Sequence, residues 1–279
     1  MAMTTASGNA SFLPTQVGDL VVRPALEQSV VGRVATVVHT QDSNTFRVPV
    51  LSADPTAAWV AEGAEITPSD ATLAEVSSPY YKVAGLTIIS REMAEDSSPE
   101  VAGLIGKRLA ADISRKLDAA FVSNTTTNGP SGLASLTTST SVEAASSFTT
   151  LDSFAAAVFT AEGQGANIDN WVTTPAEAQA LSTLKEQSGS TKPLLGADVT
   201  QPTGRQIYGR PLIATAAGVA TKTAWGIPRD RVIVAVRSDA TVELDKSVFF
   251  TSDRVAVKAT MRVAILFPHP LAIVKITHA

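Results

Sequence analysis

The chain has 279 residues, 44% of them hydrophobic, and a formal net charge of −4. That length and apolar content can bury a substantial core, as one large domain or two smaller ones, while the acidic balance excludes a protein whose whole surface attracts phosphate. The absence of cysteine excludes disulfide staples, thiolate zinc sites and thiol nucleophiles by residue type alone.

The N-terminus MAMTTASGNASF lacks the basic, apolar and small-residue sections of a secretion signal, and the chain has no run of about eighteen apolar residues that could cross a bilayer. It reads as a soluble intracellular product without membrane contact. Residues 1–18 are small and polar, with Phe12, Leu13 and Val17 as apolar anchors; such a composition does not fold by itself and reads as an arm. PALEQSVVGRV (24–34) reads as a short helix leading into strands TVVHT (36–40) and TFRVPVL (45–51), joined by the turn-prone QDSN.

AAWVAEGAEITPSDATLAEV (57–76) has the Gly63, Pro68, Glu62, Glu65, Asp70 and Glu75 of a surface loop, yet carries Trp59, Val60, Ile66, Leu73 and Val76, which a solvated loop has no reason to keep. YYKVAGLTIIS (80–90) is strand-like again, so 45–90 reads as a protruding hairpin with two extended arms and an excursion of about thirty residues, a length that in compact domains is functional or disordered. The apolar residues of the excursion pack either on a neighbouring molecule or, for Trp59, back onto the chain's own domain.

SSPEVAGLIGKRLAADISRKLDAAFVS is the clearest helix, with Ser98 as N-cap, Pro99 in the first helical position and Glu100 in the first turn. Val101, Leu104, Ile105, Leu109, Ile113, Leu117, Ala120 and Phe121 form one stripe, and at 1.5 Å per residue the helix runs roughly 35 Å, a spine for the domain. Lys107, Arg108, Arg115 and Lys116 alternate with Asp112 and Asp118 at helical spacing, the pattern of a solvated, salt-bridged face rather than a nucleic-acid site. The Thr, Ser and Gly-rich segment 124–150 reads as a boundary between two lobes.

The second lobe reads as α/β: a helix at 151–163 closed by Gly163, strand NWVTT (170–174), and a helix opened by Thr174, Pro175 and Glu177 as N-cap, first-position proline and capping-box acid. In the last third, DRVIVAV (230–236) and ATVELDK (240–246) flank a turn at Ser238 and Asp239. DRVAVKATMRVAILF (253–267) alternates Val255, Val257, Ala259, Met261, Val263 and Ile265 against Lys258, Thr260 and Arg262. That pattern predicts a long antiparallel ribbon, buried on one side, lying along the spine helix, and an α+β lobe.

Catalytic constellations are weak. There is no Gly-x-Ser-x-Gly elbow; GSTK (189–192) lacks the glycine spacing of a phosphate loop, and GQGAN (163–167) is too short for a dinucleotide fingerprint. The acid groupings Glu62 with Glu65 and Glu92 with Glu95 and Asp96 are ordinary on an acidic surface. His39, His269 and His278 show no ligand spacing and read as surface or loop histidines. No catalytic, cofactor or metal residue is assigned. An arm and a greasy hairpin that cannot be satisfied within one subunit point instead to symmetric homo-oligomers.

In order, AAWVAEGAEITPSD, KVAGLTIISREMAEDSSPEVAGLIGKRLAADISRKLDAAF, NGPSGLASL, NWVTTPAEAQALSTLKEQSGSTKPLL and IYGRPLIAT with the closing strands resemble the major capsid protein of tailed bacteriophages with the Hong Kong 97-type fold, over about residues 30–279. The resemblance implies an α+β capsid fold with an N-terminal arm (1–25), an extended loop (46–88), a peripheral domain (26–45, 89–129 and 229–279) and an axial α/β domain (130–228). It implies a non-enzymatic chain that builds, through hexamers and pentamers, the icosahedral shell around a phage genome, as part of a virion assembled in the host bacterial cytoplasm. Phe12, Leu13, Trp59, Val60, Glu62, Glu65, Ile66 and Leu73 would then lie at the subunit interface, without cofactors, and scaffolding, portal and cement proteins and non-specific contact with packaged double-stranded DNA would complete the partners.

Two departures from the family pattern modify this. Some members join subunits through a loop lysine and a neighbour's asparagine, but no lysine lies between Arg47 and Tyr81 and no asparagine follows Asn170, so a non-covalent shell is expected. Members with a built-in scaffold carry a long helical segment ahead of the arm, whereas Met1 here leads almost directly into it; the expectation is a separate scaffolding protein or none. Encapsulins, which enclose enzyme cargo, share the fold, but MAMTTASGNASFLPTQVGDL lacks the amphipathic stripe of their cargo-cradling helix. A hydrolase using a Ser or Thr hydroxyl, with His39 or His269 as base, is the alternative from a different class.

Overall fold

The computed structural model describes residues 29–40, 44–90, 92, 100–137, 139–144, 148, 150–187, 190, 192–195, 205–245 and 247–278. The arm with Phe12 and Leu13, the Ser98 and Pro99 start of the long helix, and the side chains of Val101 and Leu104 lie outside them. Among the described residues no helix is long and apolar enough to cross a membrane.

Among the described residues, four α-helices and twelve strands follow in chain order: α1 (Val30–Val34), β1 (Thr36–His39), β2 (Thr45–Ala53), β3 (Thr72–Pro79), β4 (Tyr81–Ser90), α2 (Glu100–Val122), β5 (Thr140–Ala144), α3 (Asp152–Gly163), β6 (Asn170–Thr173), α4 (Pro175–Thr183), β7 (Gln206–Ile207), β8 (Arg210–Ala214), β9 (Thr223–Ile227), β10 (Ile233–Asp245), β11 (Arg254–Leu266) and β12 (Val274–His278). One sheet has the order β1-β10-β11-β4, a second β5-β12-β9-β6-β8-β7, and β2 with β3 forms a separate two-stranded ribbon.

The spine helix α2 lies on the first sheet because both carry a matching apolar face. Ile113, Leu117 and Phe121 join Val234, Val236, Met261, Val263 and Ile265, and the same cluster continues into Val172, Ile213, Trp225 and Ile227 of the second sheet. Gly85 on β4 leaves room for the helix: a Cβ there would lie 2.8 Å from Leu109 Cδ2. In the second lobe, Phe154, Ala157 and Ala161 of α3 and Ala178 and Leu181 of α4 pack with Trp171, Ile168, Leu212 and Ile276, the Phe154 ring standing edge-on to Trp171 at 5.0 Å.

Several sequence expectations change here. The strands on either side of QDSN both form but enter different sheets: β1 pairs in parallel with β10, whereas β2 pairs antiparallel with β3. The returning arm of the hairpin is β3, inside the stretch read as a bare excursion, whereas 80–90 belongs to the first sheet as β4, paired with β11. Most of β3 is exposed, with only Val76 and Ser78 partly covered, so TLAEVSSP gives a weak strand signal. Ser238 and Asp239 are not a turn. They lie within one continuous strand, β10, whose register against β11 shifts between Val236 and Ser238 and between Ser238 and Thr241, and such bulges absorb polar residues without reversing the chain. β11 is accordingly an inner strand of a four-stranded sheet rather than half of a ribbon, and β12, at the end of the segment grouped with the peripheral strands, pairs with β5 and β9 in the second sheet.

Smaller corrections concern caps and charges. Gly163 is the last residue of α3, and the left-handed turn after it falls on Gly165, with φ +66°. Thr174 caps α4 as expected, accepting the Glu177 N–H at 3.2 Å, but the Glu177 carboxylate bonds His278 Nε2 at 3.1 Å instead of closing a capping box. His278 is therefore a buried strand residue, its ring 4.6 Å from Phe148, and not a surface histidine. On the spine, Arg115 does pair with Asp112, at 3.6 Å, but Asp118 has left the solvated face and is buried. Its Oδ2 and Oδ1 accept the N–H groups of Val30 and Val31 at 3.2 and 3.1 Å, capping α1 together with Ser29. Burial lifts its carboxyl above the ordinary value of 3.8, against the opposing pull of those two amides.

Candidate assembly surface

The ribbon β2–β3 is anchored firmly at its root. Phe46, Val48, Val76 and Tyr80 pack on Ala235, Ala264 and Leu266, the face of the first sheet that points away from the spine helix. The Tyr80 hydroxyl hydrogen-bonds the Thr40 hydroxyl, the Arg237 guanidinium lies 5.9 Å from the centre of the Tyr80 ring, and Arg237 also donates to Asn44 Oδ1. Ribbon direction is thus set by its own side chains rather than by a hinge.

Away from the root the ribbon changes character. Its outward face begins with Arg47 and Glu75, paired at 3.3 Å, and ends with the cross-strand pair Leu51 and Leu73, both exposed. Beyond them the loop 54–71 is closed at its neck. Ser69 Oγ accepts the Thr56 N–H and donates to the Thr56 carbonyl, each at 3.0 Å. At the tip, the Ala64 N–H donates to the Ala61 carbonyl at 3.0 Å across a turn in which Gly63 takes φ +80°, a value open to glycine and strained for other residues.

The loop presents what its sequence suggested. Trp59 is 106% exposed relative to a free residue, Ile66 76% and Leu73 74%; Val60, Glu62 and Glu65 are also at the surface. Trp59 does not fold back onto its own domain. Asp54, Glu62, Glu65 and Asp70 give this tip a wholly acidic charge, since no Lys, Arg or His lies between Arg47 and Lys82.

A second surface escaped the sequence reading. On the sheet face that holds the ribbon root, β4 contributes Lys82, Ala84, Leu86 and Ile88, paired with Arg262, Thr260, Lys258 and Ala256 of β11. Leu86 and Ile88 are exposed, and Lys82, Arg254 and Arg262 stand around them, with Lys258 bonded to Glu243 at 2.6 Å. In the sequence these two residues look like ordinary core positions of an apolar strand; only the pairing shows that even-numbered residues of β4 face away from the spine.

Among the described residues no three His, Asp or Glu side chains gather to hold a metal. A cleft of about 300 Å³ between β4, the spine helix and residues 126–130 is lined by Val83, Leu109, Ile113 and Leu117 together with Asp112, Lys116, Thr126 and Thr127, and no histidine, serine or cysteine is among its lining residues.

The known proteins similar to this chain are capsid proteins. The family model described as the phage capsid family matches residues 9–278. Among solved structures, the capsid of an empty GTA particle is 18% identical with a TM-score of 0.74, over 90% of each chain, and the capsid of a native GTA particle is 18% identical with a TM-score of 0.73, over 100% of this chain and 99% of the other. A chain from Mycobacterium phage Adephagia is 17% identical with a TM-score of 0.72, over 90% of each. No curated protein matches the chain.

Proposed function

The chain belongs to the phage capsid family, as a major capsid protein with the Hong Kong 97-type fold whose copies form the virion shell, and on that premise we propose that its acidic, apolar loop is the part that joins one copy to the next. The full exposure of Trp59 at the end of an anchored ribbon carries this reading. Buried aromatic anchors dominate protein interfaces, and a tip already closed by Ser69 loses little freedom on docking.

The same sheet face supplies a complement. The ribbon root covers its Ala264 and Leu266 end, while Leu86 and Ile88 at the other end remain open, framed by Lys82, Arg254 and Arg262. Trp59, Val60, Ile66 and Leu73 of one copy would extend that cover on the next, with Glu62 and Glu65 facing the cations. Opposite charges around an apolar centre set register and raise the association rate.

Several finer features belong to the same proposal: closure through hexamers and pentamers, assembly in the host cytoplasm, non-specific contact with packaged double-stranded DNA, and the help of scaffolding, portal or cement proteins. The family membership favours a phage shell over an enzyme-enclosing compartment. Because the loop has no lysine, subunits would be joined without covalent links. Electron microscopy of the purified full chain tests the reading. Hollow shells that dissolve to single subunits on boiling in detergent are expected; particles that never close, or a ladder of oligomers on the gel, would contradict it.

A further inference from the structure

The hairpin β7–β8 turns in two residues, Tyr208 and Gly209, between the pairs Ile207 with Arg210 and Gln206 with Pro211. Both central residues have positive φ, +52° for Tyr208 and +73° for Gly209. That is the signature of a type I′ turn, whose first position is ordinarily Asn, Asp or Gly. A bulky residue there is a genuine outlier, and such strain persists where the surroundings hold it and a function uses it.

The surroundings do hold it. Ile207 is fully buried, and its carbonyl accepts the Trp171 indole N–H at 3.1 Å. The Arg210 guanidinium donates to the Ile168 carbonyl, and the Leu212 N–H to the Arg205 carbonyl at 2.7 Å. The side chain on this rigid turn contributes nothing comparable in return: Tyr208 is 52% exposed and makes no hydrogen bond or ring contact among the described residues. β7 is the outermost strand of its sheet, so the ring projects from an edge.

We propose that Tyr208 is an anchor for a neighbouring copy of this chain, an aromatic side chain kept at a backbone position that disfavours it because its ring is buried when copies assemble. This contact is separate from the Trp59 loop and rests on the reading that copies form a shell. A ring on a fixed turn is already oriented, so little entropy is lost when it docks, and tyrosine is among the residues most enriched in interface hot spots.

The inference makes folding and assembly respond in opposite directions. Tyr208→Asn relieves the turn and removes the ring; Tyr208→Phe keeps the ring. Two quantities are read on the full chain: the thermal midpoint of the unassembled protein, and the concentration threshold for shells by light scattering with electron microscopy. Tyr208→Asn is expected to raise the midpoint by about 2–4 °C and the assembly threshold roughly tenfold or more, while Tyr208→Phe stays within about twofold of the wild-type threshold. A wild-type threshold for Tyr208→Asn, or a lowered midpoint, overturns the inference while leaving the shell intact. Failure of the wild-type chain itself to form shells would instead bring down the functional reading, and this inference with it.

Discussion

Ser69 holds both backbone groups of Thr56, accepting from its N–H and donating to its carbonyl at 3.0 Å. This pair of hydrogen bonds between side chain and main chain closes the neck of the loop that carries Trp59 and Ile66, in a region where almost every side chain is exposed. Its consequence lies in presentation rather than in folding. Ser69→Ala is expected to leave the thermal midpoint unchanged and to raise the assembly threshold about fivefold, the equivalent of about 1 kcal/mol for hydrogen bonds of this kind. Light scattering against concentration checks it.

The acidic tip and the cationic sheet face give assembly a definite salt response. Exposed charges are screened over about 8 Å at physiological ionic strength, so wild-type assembly should slow as salt rises. Glu62→Lys with Glu65→Lys is expected to slow assembly at low salt and to abolish or reverse that dependence. An unchanged salt slope in the double variant would remove these acids from the contact.

Asp118 joins the spine helix to the start of α1 and carries a pH signature. The folded carboxyl lies above its ordinary 3.8 because burial disfavours the charge more than the Val30 and Val31 amides favour it. The folded state therefore holds the proton more tightly than the unfolded chain, and the contribution of this group to stability declines as pH rises from about 3.8 through the folded value. In Asp118→Asn, which cannot ionise, that component disappears, so the variant should gain on the wild type as pH rises through that window in thermal melts. Asp118→Ala leaves the buried Val31 N–H without its acceptor and is expected to destabilise by about 1–3 kcal/mol.

Gly132 occupies a place with no room for a side chain. A Cβ there would fall among the carbonyl oxygens of Ala120, Phe121 and Ser123, where the chain crosses the end of the spine helix. Backbone atoms cannot swing aside, so Gly132→Ala is expected to lower stability by about 3 kcal/mol, the upper part of the overpacking range, as measured by denaturant unfolding.

What could be read from the sequence divides along physical lines. The spine helix, Thr174 as a cap, and the buried alternation of Val257, Ala259, Met261 and Val263 were legible because local periodicity and capping chemistry determine them. The exposed greasy loop was legible as a conflict, loop residues with Trp59 and Ile66 among them. Strand β3 was not, since most of it is exposed and only Val76 and Ser78 are partly covered, too little alternation to show. Nor was the role of Asp118, whose partners lie 87 and 88 residues away in sequence, or the exposure of Leu86 and Ile88, which depends on which face of β4 meets the helix. Pairing partners and facing directions are tertiary facts, and a single sequence carries them only weakly.

The central claim is that Trp59 is an intersubunit contact, and Trp59→Asp in the full chain tests it most directly, with thermal unfolding and shell yield measured side by side. The expected result is a soluble, folded chain with a midpoint within about 2 °C of wild type and an assembly threshold raised about thirtyfold or more. Shells at the wild-type threshold, or a variant that unfolds or precipitates as a single chain, would contradict it.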